Sequence, residues 1–322
     1  MTNTKQADST IVVEPMTVHT GAEIKGVDLR EPLTAAEIAD ITAALLKWKV
    51  LFFRNQPLNH AQHVQLARQF GEPTPAHVVF GGDDTFPEIY SIAKFRAANS
   101  KRGTAPIRPW TGWHTDITAA INPPAASILR GETVPPYGGD TQWTNLVAAY
   151  HALSPAMCAF ADTLRAVHRY DAPTGAAAAK EYDETLKGGS YATEHPLVRV
   201  HPETGERVLY VSPSFLKSLS DVTLQESQHL MQMLWEHIVR PEFTVRFRWT
   251  ADCVAFWDNR STAHLAPRDI FDSEFDRQFY RVTLNGDIPV GVDGRPSTAI
   301  EGDPIEPVPV SLTNEKASKS NV

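Results

Sequence analysis

The stretch Trp110-Thr-Gly-Trp-His-Thr-Asp116 carries part of a predicted metal site. His114 and Asp116 are two residues apart, so on a β-strand both side chains leave the same face. An imidazole and a carboxylate held side by side supply two of the three positions of a facial metal site, and the third ligand must come from far along the chain. A His-x-Asp tripeptide also arises often by chance, so other motifs have to support the site.

The composition is that of a globular protein. The chain has 322 residues, of which 42% are hydrophobic and 21% charged, enough for one large all-β domain or two ordinary domains. A net charge of −8 argues against nucleic acid and membrane partners, and no apolar run reaches the roughly 20 residues that cross a bilayer. The polar start and the two cysteines, Cys158 and Cys253, predict a cytoplasmic protein with reduced thiols.

Short strand patterns dominate the chain, with helices before and between them. Alternating or continuous apolar runs such as Val50-Leu-Phe-Phe and Phe243-Thr-Val-Arg-Phe predict strands. No βαβ rhythm is present, so we predict a mainly β fold with flanking helices, for which a jelly roll is the best candidate. Helices are predicted from the Thr34 capping box onward and over residues 59–70, 146–153, 155–170 and 222–239.

Four segments lack a periodic pattern. Residues 73–109 and 171–194 are predicted to be lid-like segments beside a pocket, although a solvated insertion without a role explains 73–109 equally well. Residues 1–10 and 304–322 are predicted to be disordered. A single domain over residues 11–303 remains.

The third metal ligand is predicted to be His264. The chain has twelve histidines, so the choice depends on context. His264 follows the strand pattern of residues 253–257 and a polar run, which places it at the mouth of a β-core, where small-molecule sites lie. Most of the other histidines fall on helices or early strands and are interpreted as surface or core residues; His195 and His201 stay ambiguous. His77, inside the first lid-like segment, is predicted to face substrate.

Two further patterns suggest an anion-binding pocket. Thr141 follows the tight turn Gly138-Gly-Asp and begins a strand. Arg277 and Arg281 are four residues apart just downstream of His264, so on one strand they share a face. A guanidinium grips a carboxylate through two hydrogen bonds, which a lysine cannot reproduce.

Together these motifs resemble the Fe(II)- and 2-oxoglutarate-dependent dioxygenases of the taurine and 2,4-dichlorophenoxyacetate (TauD/TfdA) family. The resemblance covers about residues 12–290. It implies a double-stranded β-helix, the cupin-like jelly roll, and a homo-oligomer, dimer or tetramer. The matching segments are Trp113–Asp116, 123–126, Gly138–Trp143, Trp257–His264 and Arg277–Asp287.

The resemblance also implies roles for individual residues. His114, Asp116 and His264 would bind Fe(II), Thr141 and Arg277 would hold 2-oxoglutarate, and Arg281 would contact an acidic group of a small-molecule substrate. Such enzymes couple decarboxylation of 2-oxoglutarate to succinate and CO2 with substrate oxidation by O2. Related halogenases lack the carboxylate ligand, so Asp116 favours oxygenation.

The substrate positions depart from the taurine enzymes. Ala76 and Trp110 stand where those enzymes have a histidine and an asparagine, with His77 displaced by one position. These changes predict a larger, more apolar substrate, and we expect a secondary metabolite such as a terpenoid acid, contacted by Trp110 and His77. Alkyl sulfates and sulfonates are the alternative within the family. A non-catalytic β-barrel that binds a small acid, or a closed zinc site, is the remote alternative.

Overall fold

The computed structural model describes residues 10–77, 85–94, 108–171 and 189–310. Most of its regular elements are short strands. These are β1 (Val12–Pro15), β2 (Ala22–Lys25), β3 (Val50–Phe53), β4 (Tyr90–Ala93), β5 (Ala126–Thr133), β6 (Thr141–Asn145), β7 (Arg165–Tyr170), β8 (Tyr191–Pro196), β9 (Val198–Val200), β10 (Arg207–Leu209), β11 (Leu216–Leu219), β12 (Thr244–Phe247), β13 (Val254–Asp258), β14 (Thr262–Leu265), β15 (Gln278–Leu284), β16 (Val290–Gly291) and β17 (Thr298–Glu301). The α-helices are α1 (Ala35–Trp48), α2 (His60–Arg68), α3 (Leu146–His151), α4 (Pro155–Ala161) and α5 (Leu224–Ile238), and 3₁₀ turns lie at Pro241–Phe243 and Arg268–Asp272.

Two sheets pack face to face and form the jelly roll that the sequence predicts. The larger has the strand order β1-β2-β3-β13-β5-β15-β4, and the smaller has the order β12-β6-β14. Large aromatic side chains from both sheets fill the space between them, among them Phe52, Trp143, Phe247, Trp257 and Phe279. Aromatic groups of this size bury the most apolar surface per residue, so this cluster holds the two sheets together.

The outer face of the larger sheet is covered by α1 and α2. Residues of β3 and β13 alternate between the two faces: Phe52 points between the sheets, whereas Leu51 and Phe53 pack under the helices. Both helices begin with a capping box, on Thr34 and on Asn59, which satisfies backbone N–H groups at their first turns. None of the helices in the described residues is long and apolar enough to span a membrane.

The structure corrects two expectations about local elements. The helix predicted over 155–170 ends at Ala161, and Arg165–Tyr170 forms β7, because it pairs along its length with β8. The segments 73–109 and 171–194 are not wholly irregular, since they contain β4 and the start of β8. Within these two segments, residues 78–84, 95–107 and 172–188 lie outside the described residues, so whether they act as lids stays a prediction.

The predicted disordered tail begins too early. Ile305 and Val308 are buried, and the backbone N–H of Val308 donates to the carbonyl oxygen of Pro73. The side chain of Asn122 also bonds to the backbone of Ile305 in both directions. Residues 304–310 therefore pack onto the fold, whereas 1–9 and 311–322 lie outside the described residues.

Three of the histidines that lie buried away from the predicted metal site have lowered pKa values. Burial lowers the pKa of His63 and of His195 to about 3, and it lowers the pKa of His168 well below the ordinary value. His195 is held by Ser297 and by the carbonyl oxygen of Thr118, and His63 contacts the carbonyl oxygen of Ile128. All three are therefore neutral in the folded protein at neutral pH.

These histidines should make the fold sensitive to mild acid. The unfolded chain takes up protons on them below about pH 6.5, whereas the folded chain does not. The free energy of unfolding should therefore fall as the pH drops from 6.5 to 5, by up to about 1.4 kcal/mol per pH unit for each histidine. Urea midpoints across pH 5–7.5 measure this, and His195→Gln should flatten the slope. An unchanged midpoint over this range would contradict the prediction.

Candidate active site

The segment that contains His114 and Asp116 is docked onto β14 by backbone pairing. The N–H of His114 donates to the carbonyl oxygen of His264 at 2.9 Å, and the N–H of His264 donates to that of His114 at 2.7 Å. The hydroxyl of Thr115 adds a bond to the carbonyl oxygen of Thr262 at 2.7 Å. This isolated bridge beside the smaller sheet sets residues 150 positions apart side by side.

The side chains of His114, Asp116 and His264 converge. One potential ligand atom from each lies within 4.8 Å of the others, and no other cluster of this kind occurs among the described residues. Nδ1 of His114 lies 3.0 Å from the carbonyl oxygen of Gly112, an acceptor, so Nδ1 carries the proton and Nε2 is left to bind a metal. Two imidazoles and a carboxylate that converge in this way fit a divalent transition metal.

Asp116 is a buried carboxylate in a strongly positive environment. Its Oδ1 accepts from Nη1 of Arg281 at 2.5 Å and lies 4.0 Å from Nε2 of His264, while its Oδ2 accepts from the hydroxyl of Ser127 at 2.7 Å. Burial by itself would raise the pKa of Asp116, but Arg281, the two histidines and Ser127 outweigh it and lower the pKa. Asp116 is therefore ionised, and Oδ1, the oxygen nearer His264, keeps a second lone pair for a cation beside the Arg281 N–H.

The residue after Asp116 has a strained backbone. Ile117 adopts φ 43°, a left-handed conformation that is unfavourable for a β-branched side chain. Its side chain packs with Ala120 and Ile305, and Phe215 and Tyr191 lie against this cluster. The turn thus leads from the carboxylate-bearing residue directly into an apolar cluster.

Thr141 and Arg277 belong to one cluster beside the metal ligands. Nε of Arg277 donates to the carbonyl oxygen of Gly139, two residues before Thr141, and the guanidinium carbon lies 3.9 Å from the ring centre of Phe279. The ring of Phe279 packs on Trp249, whose indole N–H donates to the Thr141 hydroxyl at 3.0 Å. Gly139 is required here, because its φ is +66° and a Cβ would lie 3.1 Å from Cδ of Arg277.

Arg277 is a buried cation that contacts no carboxylate among the described residues. Burial lowers its pKa to about 10, and the more distant Asp269 and Asp140 offset this only in part. Among the described residues its terminal nitrogens have no hydrogen-bond partner, and the Thr141 hydroxyl, which accepts from Trp249, still has a hydrogen to donate. A buried charge left unpaired is costly, so this pair of side chains forms a site for an anion.

Arg281 lies on β15, which begins directly after Arg277, and is also buried. Its side chain bonds to Asp116, and its guanidinium carbon lies 5.3 Å from the ring centre of Tyr90. The ring of Tyr90 contacts His77 at 5.1 Å, and His77 contacts Tyr170 at 6.5 Å. An aromatic wall therefore runs from Arg281 to His77, and His77 stays a candidate for substrate contact.

Trp110 packs elsewhere. Its ring lies 6.1 Å from that of Trp235 on α5, and the guanidinium of Arg108 lies 5.9 Å from the Trp110 ring centre. These contacts place Trp110 on the apolar cluster around α3 and α5. Its predicted contact with substrate remains a prediction that gains no support from these neighbours.

Three residues around the site were not predicted from the sequence. Ser127 on β5 bonds to Asp116, Asn259 bonds to Ser127, and Tyr90 lies beside Arg281. Asn259 belongs to the Trp257–His264 motif, so a signal for it existed. Ser127 and Tyr90 carry no motif, and only the pairing of β5 and β4 with β15 brings them to the site.

Comparisons with known proteins agree with this geometry. A family model described as taurine catabolism dioxygenase TauD, TfdA family matches residues 13–283. The chain is 40% identical over 291 residues to the alpha-ketoglutarate-dependent sulfate ester dioxygenase of Pseudomonas putida, covering 88% of this chain and 92% of that protein. It is 37% identical over 287 residues to the alkylsulfatase of Acinetobacter baylyi, covering 87% and 86%.

A solved structure extends the comparison to the fold. The crystal structure of a taurine dioxygenase from Burkholderia xenovorans is 60% identical and superimposes with a TM-score of 0.80, covering 91% of this chain and 97% of that one. The family resemblance, the jelly roll and the class of enzyme predicted from the sequence are thereby confirmed. The chain belongs to the TauD/TfdA family, and it is a dioxygenase that depends on Fe(II), 2-oxoglutarate (alpha-ketoglutarate) and O2.

Proposed function

We propose that this dioxygenase oxidises an organic compound that carries an –SO3⁻ group, as a sulfate ester or a sulfonate, at the carbon next to that group. The observation that carries the proposal is the buried Arg281, whose guanidinium lies between the candidate metal ligand Asp116 and an aromatic wall. In the proposed arrangement, His114, Asp116 and His264 hold Fe(II). When bound, the iron and 2-oxoglutarate activate O2 and supply the oxidant, releasing succinate and CO2.

Thr141 and Arg277 are proposed to hold the far carboxylate of 2-oxoglutarate. His264 pairs with Trp143 on β6. Thr141 lies two residues before Trp143, at the start of that strand, and on the same face. Two residues of a strand span about 7 Å, a distance that a five-carbon dicarboxylate can bridge from the metal. The Arg277 guanidinium and the Thr141 hydroxyl both present donors there, so they position the cosubstrate and neutralise its charge.

Arg281 is proposed to bind the anionic group of the substrate. Among the described residues its side chain donates only to Asp116, which leaves further N–H groups for an oxyanion. A row of aromatic rings continues from Arg281 through Tyr90, His77 and Tyr170. Such a surface suits the organic part of the substrate. This arrangement would place the carbon that bears the sulfur group closest to the metal.

Oxidation at that carbon leads to cleavage. A sulfate ester R–CH2–OSO3⁻ gains a hydroxyl at carbon, and the product R–CH(OH)–OSO3⁻ collapses to R–CHO and HSO4⁻ as the C–O bond to sulfate breaks. A sulfonate R–CH2–SO3⁻ gives R–CHO and HSO3⁻ through the same hydroxylated stage. The two substrate types therefore share one binding group and differ in the anion released.

The activities for which the similar enzymes are named favour this class over the terpenoid acid expected from the sequence. The two similar enzymes are named for sulfate esters and for alkyl sulfates, and the similar solved structure for taurine, a sulfonate. Arg281 could equally bind a carboxylate. The preference for a terpenoid acid rests on Ala76 and Trp110, and Trp110 packs against Trp235 instead.

A substrate panel tests the proposed class. Substrate-dependent succinate release should occur with alkyl sulfates or alkanesulfonates, accompanied by one equivalent of sulfate or sulfite respectively. Measuring sulfate and sulfite by ion chromatography distinguishes oxidation of a sulfate ester from oxidation of a sulfonate. Succinate release with terpenoid carboxylic acids, and none with either sulfur compound, would overturn the proposed substrate class while leaving the dioxygenase assignment intact.

The metal assignment predicts that His264→Ala loses iron binding. Anaerobic titration of the native protein with Fe(II) and 2-oxoglutarate should produce a visible metal-to-ligand charge-transfer band, which the variant should lack together with turnover. His229→Ala is a matched control, because His229 is exposed on α5 and its ring contacts the carbonyl oxygen of Gln225 on the same helix. A normal band in His264→Ala would exclude His264 as a ligand.

The cosubstrate assignment predicts a selective effect of Arg277→Lys. Lysine keeps a positive charge but loses the two-pronged grip, a change worth about 1.5–3 kcal/mol. The KM for 2-oxoglutarate should therefore rise by about 10- to 100-fold, with a smaller change in kcat. Arg248→Lys, at an exposed arginine that bonds to the carbonyl oxygen of Pro136, serves as the control. An unchanged KM in Arg277→Lys would contradict the assignment.

A further inference from the structure

A chain of three hydrogen bonds ends on the second oxygen of Asp116. The indole N–H of Trp257 donates to Oδ1 of Asn259 at 2.8 Å, and Nδ2 of Asn259 donates to Oγ of Ser127 at 2.7 Å. The hydroxyl of Ser127 donates to Oδ2 of Asp116 at 2.7 Å. All four residues are at most 2% exposed, so water does not compete for these bonds.

The donor at one end of this hydrogen-bond chain and the acceptor at the other end determine the direction of each bond between them. An indole N–H can only donate, so Asn259 must turn its carbonyl oxygen toward Trp257 and its amide nitrogen toward Ser127. Ser127 then accepts from Asn259, and its single hydrogen points to Asp116, whose ionised carboxylate can only accept. The relay Trp257–Asn259–Ser127 therefore delivers a hydrogen-bond donor to Oδ2 and to no other atom.

Backbone pairing holds the relay in place. Trp257 on β13 is the direct cross-strand partner of Ser127 on β5, and the N–H of Asn259 donates to the carbonyl oxygen of Ala125 at 2.9 Å. Both strands lie in the middle of the larger sheet, flanked on each side. The relay thus connects the rigid centre of the fold to the carboxylate.

We propose that Ser127 and Asn259 are positioning residues that make Asp116 bind the metal through Oδ1 alone. This inference rests on the proposed metal site. Three single-atom protein ligands would leave the other positions of a bound metal free for 2-oxoglutarate and O2. If Asp116 rotated and bound through both oxygens, it would take one of those positions, and the hydrogen bond from Ser127 to Oδ2 opposes that rotation.

Ser127→Ala tests the proposal without turnover. Co(II) alone is titrated into the native protein and the variant, and its visible absorption reports affinity and coordination number. Loss of a hydrogen-bond donor to a metal ligand weakens metal binding by about 10- to 100-fold in comparable sites. We expect a weakening of this size together with a changed Co(II) spectrum.

Ser261→Ala is the matched control. Ser261 is also fully buried, and its hydroxyl has no hydrogen-bond partner among the described residues. It should bind Co(II) with native affinity and a native spectrum. Asn259→Asp is a second test variant, because it keeps Ser127 but replaces the amide that donates to the Ser127 hydroxyl with an acceptor. It should also weaken Co(II) binding.

The outcomes separate this proposal from the metal site on which it rests. Native Co(II) affinity and spectrum in both Ser127→Ala and Asn259→Asp would overturn the relay and leave the metal site standing. Failure of the native protein to bind Co(II), or equal binding by His264→Ala, would overturn the metal site and the relay with it. Weakened binding in Ser127→Ala with an unaltered spectrum would also overturn the relay, because Asp116 would then keep its mode of ligation without the donor.

Discussion

The buried negative charge of Asp116 is the constraint on which the rest of the site depends. A carboxylate removed from water is stable only if positive charge and hydrogen-bond donors surround it. Here the compensation comes from Arg281 on β15 and Ser127 on β5, two strands of the larger sheet. Asp116 itself follows His114, which pairs with His264 on β14 of the smaller sheet, so the charge is compensated only once the two sheets have come together.

The space between the sheets divides into an apolar part and a polar part. Phe52, Trp143, Phe247 and Trp257 fill one region and bind the sheets together, while the ionised groups occupy the other. On β15, Phe279 lies between Arg281 and Arg277, the residue just before the strand, and the Arg277 guanidinium lies over the Phe279 ring. This short segment thereby supplies both arginines and also contributes Phe279 to the core between the sheets.

Sequence reasoning succeeded where the chemistry is encoded in short motifs and failed where it depends on packing. His-x-Asp and the distant His264 were recognisable, because a facial site restricts the residue types. The helix predicted over 155–170 was wrong beyond Ala161, since a helix and a buried strand can share a mixed apolar pattern, and pairing with β8 decided it. The composition of residues 304–310 predicts disorder, yet the backbone N–H of Ile305 donates to the side-chain oxygen of Asn122.

The sequence by itself determined the family, the candidate ligands and the candidate cosubstrate residues, because these depend on the kind of side chain at a given spacing. Only the tertiary structure decided what holds those side chains. It shows that Ser127 and Asn259 support Asp116, that Tyr90 lies beside Arg281, and that Trp110 packs on Trp235. Such contacts join residues far apart in the chain, and strand pairing rather than local propensity brings them together.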